Sequence, residues 1–81
     1  MAGLSIGHFR FLGDNLHSSD TKECGYGYTD GSNDEWSESG MFLNITNRSK
    51  NYGWQIRTNL RGTSNKIRHL FNGQWGDWIQ L

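Results

Sequence analysis

Two polar stretches, residues 30–38 and the loop at 50–53, hold the side chains that are candidates for binding a ligand. The first, residues 30–38, places oxygen-bearing side chains at alternate positions, as loops that bind hard cations do. An EF-hand is excluded because its twelfth position requires a bidentate acid, and Met41 stands there. A looser Ca²⁺ site that includes Glu38 is the alternative, but a solvated Asx-rich turn accounts for the same residues. We therefore expect no metal and no cofactor.

Aromatic rings are the second feature with chemical use, since the chain holds four Trp, four Phe and three Tyr. Most such rings belong to cores or interfaces, but a ring left exposed can stack on a sugar. Trp36 stands alone in the first polar stretch, and Tyr52 lies in a second loop. Loops on a rigid scaffold often carry recognition, and neighbouring polar groups could bond sugar hydroxyls. The candidate ligand-binding residues are Trp36, Tyr52, Asp30, Asn33, Asp34 and Asn51.

Catalysis is not predicted. Glycoside hydrolysis needs two carboxyl groups about 5–9.5 Å apart, with the acid in apolar surroundings, and the sequence shows no acid pair of that kind. Cys24 with His8, His17 or His69 could form a nucleophilic dyad. A single Cys is more often an inert small hydrophobe, so we expect a non-enzymatic protein.

Charge is balanced overall but unevenly distributed. The net charge is zero, with acids concentrated in residues 14–38 and bases in residues 48–68. The bases alternate with apolar residues, which favours a solvated sheet face over a nucleic-acid interface. No apolar run approaches the length of about 18 residues that spans a bilayer. We expect no nucleic-acid partner and no membrane insertion.

An all-β fold is predicted from glycine content and alternation. Eleven glycines interrupt the chain, and glycine disfavours helix interiors. The Asn72-Gly73 pair between apolar stretches predicts a type I′ hairpin turn. The expected arrangement is a small antiparallel β meander or sandwich. Alternating or apolar segments predict strands at 4–12, 25–29, 41–46, 54–60, 67–71 and 75–81, with a polar loop at 14–23.

The alternation also predicts which side chains are buried. Trp54 and Ile56 are expected on the core face of their strand, and Arg57 on the solvated face. On the next strand Arg68 is expected outward, whereas His69 lies on the apolar face as a core or interface histidine.

Oligomerisation is predicted from the small apolar content. Hydrophobic residues make up 33% of the chain, against about 45–50% in an average domain. Cys24 is the single cysteine, so no intrachain disulfide can compensate. The chain ends on Trp78-Ile79-Gln80-Leu81, where fraying polar residues are usual. The final leucine is therefore expected in the core or in a subunit interface.

The order of several short motifs resembles the C-terminal knob domains of contractile-phage tail fibres and R-type pyocin fibres. The resemblance covers residues 13 to 81, and residues 1–12 would be a lead-in strand at the junction with a fibre shaft. The closing motif is the most specific of the set. The motifs are Gly13-Asp14-Asn15-Leu16, Gly25-Tyr26-Gly27-Tyr28, Gly40-Met41-Phe42-Leu43-Asn44-Ile45, Trp54-Gln55-Ile56, Lys66-Ile67-Arg68 and Asn72-Gly73-Gln74-Trp75-Gly76-Asp77-Trp78-Ile79-Gln80-Leu81.

That resemblance implies a homotrimeric receptor-binding tip, located on a virion or phage-like particle, that adheres to a bacterial surface polysaccharide. Two alternatives remain open. The domain could act mainly as a structural trimerisation unit of a fibre, or it could be a free-standing carbohydrate-binding module, which would be a monomer.

Overall fold

The computed structural model describes residues 8–16, 20–31 and 38–81, which form one seven-stranded sheet and no helix. Strands β1 to β6 are neighbours in chain order, and β7 pairs with β5. Every pair is antiparallel except β1–β2, which is parallel. The strands are β1 Arg10–Leu16, β2 Gly25–Thr29, β3 Gly40–Thr46, β4 Gly53–Asn59, β5 Asn65–Phe71, β6 Gln74–Trp75 and β7 Ile79–Gln80.

The predicted all-β class is confirmed, and the meander alternative is confirmed from β2 to β6. The sandwich alternative is wrong for the described residues, because their strands all belong to a single open sheet. The predicted second strand, 25–29, has the observed bounds, and the third to fifth strands agree within two residues.

The two ends of the chain differ from the predicted strands. The first strand, expected at 4–12, runs from Arg10 to Leu16 in the part that the structure describes, because irregular parallel pairing with β2 continues to Leu16 and Thr29. The final strand, expected at 75–81, is split into β6 and β7. The N–H of Gly76 donates to the carbonyl of His69 at 2.8 Å, and one extra residue then shifts the register before Ile79 pairs with Ile67.

The Asn72-Gly73 turn has the predicted geometry. Asn72 has φ 51° and Gly73 has φ 78°, so both central residues are left-handed, as a type I′ turn requires. The turn joins β5 to β6 through the facing pairs Phe71–Gln74 and Leu70–Trp75.

One face of the sheet, called here the covered face, is buried although most of its side chains are polar. Phe42 and Leu70 supply its apolar part, and the Phe42 ring packs where a Cβ on Gly27 would come within 2.9 Å of it. Arg57 is 0% exposed and donates to the Thr29 hydroxyl and the Glu38 carbonyl, both at 2.9 Å. The buried polar residues are Thr29, Asn44, Thr46, Gln55, Arg57, Asn59 and Arg68.

The covered face is closed in part by residues 20–24, called here the strap. The Asn44 amide donates to the carbonyls of Thr21 and Glu23, each at 3.0 Å, and the Thr46 hydroxyl donates to the Lys22 carbonyl at 3.0 Å. Buried amides and hydroxyls are tolerated when their hydrogen bonds are made. The strap therefore binds the sheet through polar contacts rather than through an apolar core.

Arg68 ties the C-terminal residues to the covered face. Its guanidinium lies 4.5 Å from the ring centroid of Trp75 and 4.3 Å from that of Trp78. Its Nε donates to Gln55 Oε1 at 2.8 Å, and an Nη lies 3.6 Å from an Asp20 carboxylate oxygen. A cation between two aromatic rings is attracted by both. Trp75 and Trp78 therefore have a structural role on this face of the sheet.

The opposite face, called here the open face, is apolar and exposed in the single chain. The prediction that Arg57 and Arg68 point to solvent is wrong, and the apolar side of β5 is the exposed one, with Phe71 68% exposed. His69 is also exposed and so is not a core histidine. The prediction assumed that the apolar face of each strand is the buried one. In this single-layer sheet the strap covers the polar face instead, so the predicted burial was on the wrong face.

The final leucine is not in the core. Its side chain is 64% exposed, although its N–H donates to the Asn65 carbonyl at 2.8 Å. The core alternative for Leu81 is therefore wrong, and its burial in a subunit interface stays a prediction.

Replacing Gly73 with Ala should destabilise the fold by about 1–2 kcal/mol, because a Cβ opposes the left-handed conformation. It would also lie 3.1 Å from Asn51 Oδ1. Urea denaturation at one fixed protein concentration measures the change. Gly76→Ala is the matched control, since the φ of Gly76 lies outside the left-handed region and its Cβ would make an ordinary contact 3.5 Å from the His69 carbonyl. Equal stability of the two variants would contradict the turn assignment.

Replacing Arg68 with Ala should cost about 2–4 kcal/mol of unfolding free energy, since it removes a buried cation with its ring and amide contacts. The expected accompanying change is higher tryptophan exposure, seen as red-shifted emission and stronger quenching by acrylamide. Arg61→Ala, at an exposed position in the β4–β5 turn, is the control and should change stability by less than about 0.5 kcal/mol. A stable Arg68→Ala variant with unchanged emission would rule out the role given to this contact.

Candidate functional site

The structure separates the predicted ligand-binding residues instead of gathering them. Asp30 follows β2 at the end of the sheet where β3 begins, whereas Asn51 and Tyr52 precede β4 at the end where β3 finishes. Seven residues of β3 lie between, which corresponds to about 20 Å. One site cannot contain both groups. Three further predicted residues, Trp36, Asn33 and Asp34, lie outside the described residues.

The Tyr52 end of the sheet is organised by Asn47, in the turn between β3 and β4. The side-chain oxygen of Asn47 accepts from the backbone N–H groups of Asn51 and Tyr52, both at 3.1 Å. Its carbonyl accepts from the N–H of Lys50 at 3.0 Å, and Lys50 is left-handed with φ 61°. These bonds fix the backbone that carries the Tyr52 ring, so that ring needs little ordering to act as a contact surface.

The Tyr52 ring is held in place from two sides and remains 47% exposed. Its hydroxyl donates to Asn72 Oδ1 at 2.9 Å. Its ring meets Phe71 edge-on, with centroids 5.8 Å apart and planes at 73°. The β3–β4 and β5–β6 turns are joined directly, since the N–H of Gly73 donates to the Asn51 carbonyl at 3.0 Å. A rigid, half-exposed ring beside amide groups is the arrangement of a recognition surface.

A groove of about 630 Å³ adjoins Tyr52 and is lined mostly by apolar side chains. Phe9, Ile45 and Trp54 are among its apolar lining residues, and Asn47 and Arg48 are among the polar ones. The volume falls within the usual range for small-ligand sites, about 300–1,000 Å³. An apolar lining with a few polar groups suits a ligand that has both an apolar face and hydroxyl groups.

Charged groups lie beside this groove and connect the turn to the strap. Glu23 forms an ion pair with Lys50 and lies 3.6 Å from an Arg10 guanidinium nitrogen. The hydrogen bond from Lys50 is the main cause of a pKa of Glu23 below its ordinary value, and the positive charges of Lys50 and Arg10 lower the pKa further. Glu23 and Lys50 also help to line a second cavity of about 160 Å³.

The Asp30 end is organised differently. The N–H of Asp30 donates to the Leu16 carbonyl at 2.8 Å, and the N–H of Gly31 donates to the Ser39 hydroxyl at 3.0 Å. Across the sheet, Asn59 accepts from the backbone of Thr63 and Ser64 through its Oδ1, at 2.9 and 3.1 Å. The polar groups at this end thus serve the turns, and Asp30 has no described aromatic ring beside it in the same loop.

Metal and nucleophile chemistry have little structural support among the residues described. Within residues 8–16, 20–31 and 38–81, no three His, Cys, Asp or Glu side chains are grouped so that they could hold a metal ion. Cys24 is a buried free thiol, and it borders the groove together with His8. The absence of catalysis stays a prediction. The same ranges contain no helix long and apolar enough to cross a membrane.

Sequence reasoning missed three residues of the Tyr52 end: Asn47, Arg48 and Asn72. Asn47 carried a usable signal, because an Asn after a strand often bonds to the backbone of the turn that follows. Asn72 was recognised only for its backbone, since its side-chain contact with Tyr52 joins residues 20 positions apart. No sequence pattern indicates a contact of that separation.

No protein-family model, curated protein sequence or solved structure matches this chain.

Replacing Glu23 with Gln should reduce the loss of stability in acid. A carboxylate whose pKa is lowered by folding stabilises the native state above its ordinary pKa, near 4.5, and this contribution disappears as the pH falls through the lowered value. The unfolding midpoints of the two proteins should therefore differ at pH 7 and approach each other as the pH falls through the lowered pKa. Asp77→Asn, an exposed acid near the C-terminus, is the control. A constant difference across this range would show that Glu23 is not the titrating group.

Proposed function

We propose that this chain is a non-enzymatic adhesin domain that binds a bacterial surface carbohydrate at the tip of a phage or phage-like tail fibre, as a homotrimer. The observation that carries the proposal is the fixed, half-exposed Tyr52 ring between the amides of two joined turns. The motif order that resembles fibre knob domains supports the same function. The location would be the fibre tip on a virion or phage-like particle.

The chemistry of the Tyr52 end suits a carbohydrate. A pyranose has an apolar face of C–H groups and a rim of hydroxyls, so it needs a flat ring and groups that both donate and accept hydrogen bonds. Tyr52 provides the ring, and the side chains of Asn51 and Asn72 provide amides. Arg48 adds a fork of donors for acidic sugars. The net charge of the chain is zero, so it lacks the excess positive charge that attracts most nucleic-acid-binding proteins to phosphates.

The Tyr52 end is preferred to the Asp30 end because it holds an aromatic ring in a fixed and partly exposed position. At the Tyr52 end, backbone bonds from Asn47 leave the ring half in solvent. The predicted candidates Trp36, Asn33 and Asp34, which lie outside the described residues, are kept as the competing site. Asp30 would serve that location, and Asn51 would serve the preferred one.

A structural trimerisation unit is the second candidate function, and the open face favours it. The apolar side of the sheet is uncovered in the single chain, with Met41 56% exposed. A domain that mainly aligns three fibre chains needs an apolar surface for contact between the chains, and it needs no ligand site. The two candidates differ in whether the isolated protein binds carbohydrate.

Binding of the wild-type chain to an array of purified bacterial surface polysaccharides tests the proposal. Tyr52→Ala should lower the affinity about 10-fold or more, as removal of a central aromatic contact does. Tyr52→Phe should lose less, because it keeps the ring and removes only the bond to Asn72. Leu60→Ala, exposed in the β4–β5 turn at the other end of the sheet, is the matched control and should bind normally.

The variant Trp36→Ala tests the competing candidate residues. Loss of binding in Trp36→Ala with normal binding in Tyr52→Ala would show that the site contains Trp36 and not Tyr52. No binding of the wild-type chain to any polysaccharide would overturn the adhesin proposal and leave the structural role.

A further inference from the structure

The open face carries one continuous apolar row that crosses the sheet from edge to edge. The pairing register places the residues of this row opposite one another on neighbouring strands. Side chains that face each other across paired strands lie on the same side of the sheet. The row consists of Phe11, Tyr26, Leu43, Ile56, Ile67 and Ile79 on β1, β2, β3, β4, β5 and β7.

Neighbouring positions extend this row into a broad neutral surface. Tyr28 and Met41 face each other on one side of the row, and Ile45 faces Trp54 on the other. None of the residues that the register places on this face in β2 to β7 is Asp, Glu, Lys or Arg. A neutral apolar surface can meet an identical surface without repulsion between like charges.

The single chain buries few apolar side chains among the residues that the structure describes. These are Cys24, Phe42 and Leu70. The open face holds many more large apolar groups, and soluble monomers rarely expose a contiguous patch of that extent. Because apolar burial drives association as well as folding, this uncovered patch favours contact with another surface.

The exposed area matches what a specific interface requires. The open face includes six exposed large side chains: Phe11, Tyr26, Met41, Ile45, Phe71 and Ile79. About half of a large side chain amounts to roughly 100 Å². With the half-buried members of the row, the face reaches roughly the 800 Å² that each partner contributes to a standard interface.

We infer that the open face is the surface on which copies of this chain assemble with one another. Interfaces between identical chains are more apolar than those of transient partners, and the missing charges suit a self-complementary contact. The assembly would bury the row that begins at Phe11 and ends at Ile79. The edge of this interface would lie beside Trp54 and the groove, so that Tyr52 stays at the rim of the interface. This inference deepens the proposed oligomer and does not depend on carbohydrate binding.

Sedimentation equilibrium of the full 81-residue chain tests the inference first. The wild type should have a multiple of the 9.3 kDa chain mass. The double variant Tyr26→Glu/Met41→Glu should have a dissociation constant at least 100-fold higher than the wild type, because it places negative charges in the contact between copies. Both residues are exposed in the single chain, so the β circular dichroism should persist. Leu60→Glu, also exposed but in a turn outside the strands, should assemble like the wild type.

Oxidation of Met41 by hydrogen peroxide provides a second measurement that needs no substitution. Met41 should be protected at protein concentrations where the chain is assembled and should oxidise at least 10-fold faster after dilution to single chains. Met1 is the second methionine and serves as the internal reference. A wild-type mass of one chain would overturn the inference. If the double variant kept the mass of the assembled wild type, the contact between copies would lie elsewhere and the inference would be wrong. The same conclusion would follow if Met41 were not protected in the assembled protein.

Polysaccharide binding is scored separately from assembly. An assembled chain that binds no polysaccharide would contradict the adhesin proposal and leave the interface intact. A monomer that binds polysaccharide would contradict the inferred interface and support carbohydrate binding. It would match a free-standing carbohydrate-binding module.

Discussion

A single sheet has two faces, and the described part of this chain closes only one of them. The covered face is closed by the strap of residues 20–24 and by the C-terminal tryptophans, so its buried residues are largely amides, hydroxyls and arginines. Such groups tolerate burial because partners lie within hydrogen-bond distance. Their net contribution to stability is small, about 1 kcal/mol for each bond. Most large apolar side chains of the described strands lie on the other face, which is uncovered in the single chain.

Arg68 connects the sheet to the two segments that close its covered face. It reaches Gln55 within the sheet, Asp20 in the strap, and the rings of Trp75 and Trp78 near the C-terminus. A lysine could not replace it, because a planar guanidinium can stack between two rings while its nitrogens bond sideways. The spacing of the two tryptophans in the closing motif thus has a physical reason in this structure.

The strands were predictable from local pattern, and the candidate site was predictable only in part. Tyr52 could be selected because an aromatic ring in a polar loop has no strand neighbour to bury it. Its separation from Asp30 could not be foreseen, since loops that alternate along a meander open at opposite ends of the sheet. The bond between Tyr52 and Asn72 likewise depends on two turns meeting, which strand order determines.

Glycine content and period-two alternation are enough to assign the all-β class and most strand positions, and the Asn72-Gly73 pair is enough to assign the type I′ turn. Alternation divides a strand into two faces but does not say which face is covered. The burial of Arg57 and Arg68 and the exposure of Phe71 and Met41 follow from long-range packing. The reason is that covering depends on where the strap and the C-terminal residues cross the sheet, and these contacts join residues far apart in the chain.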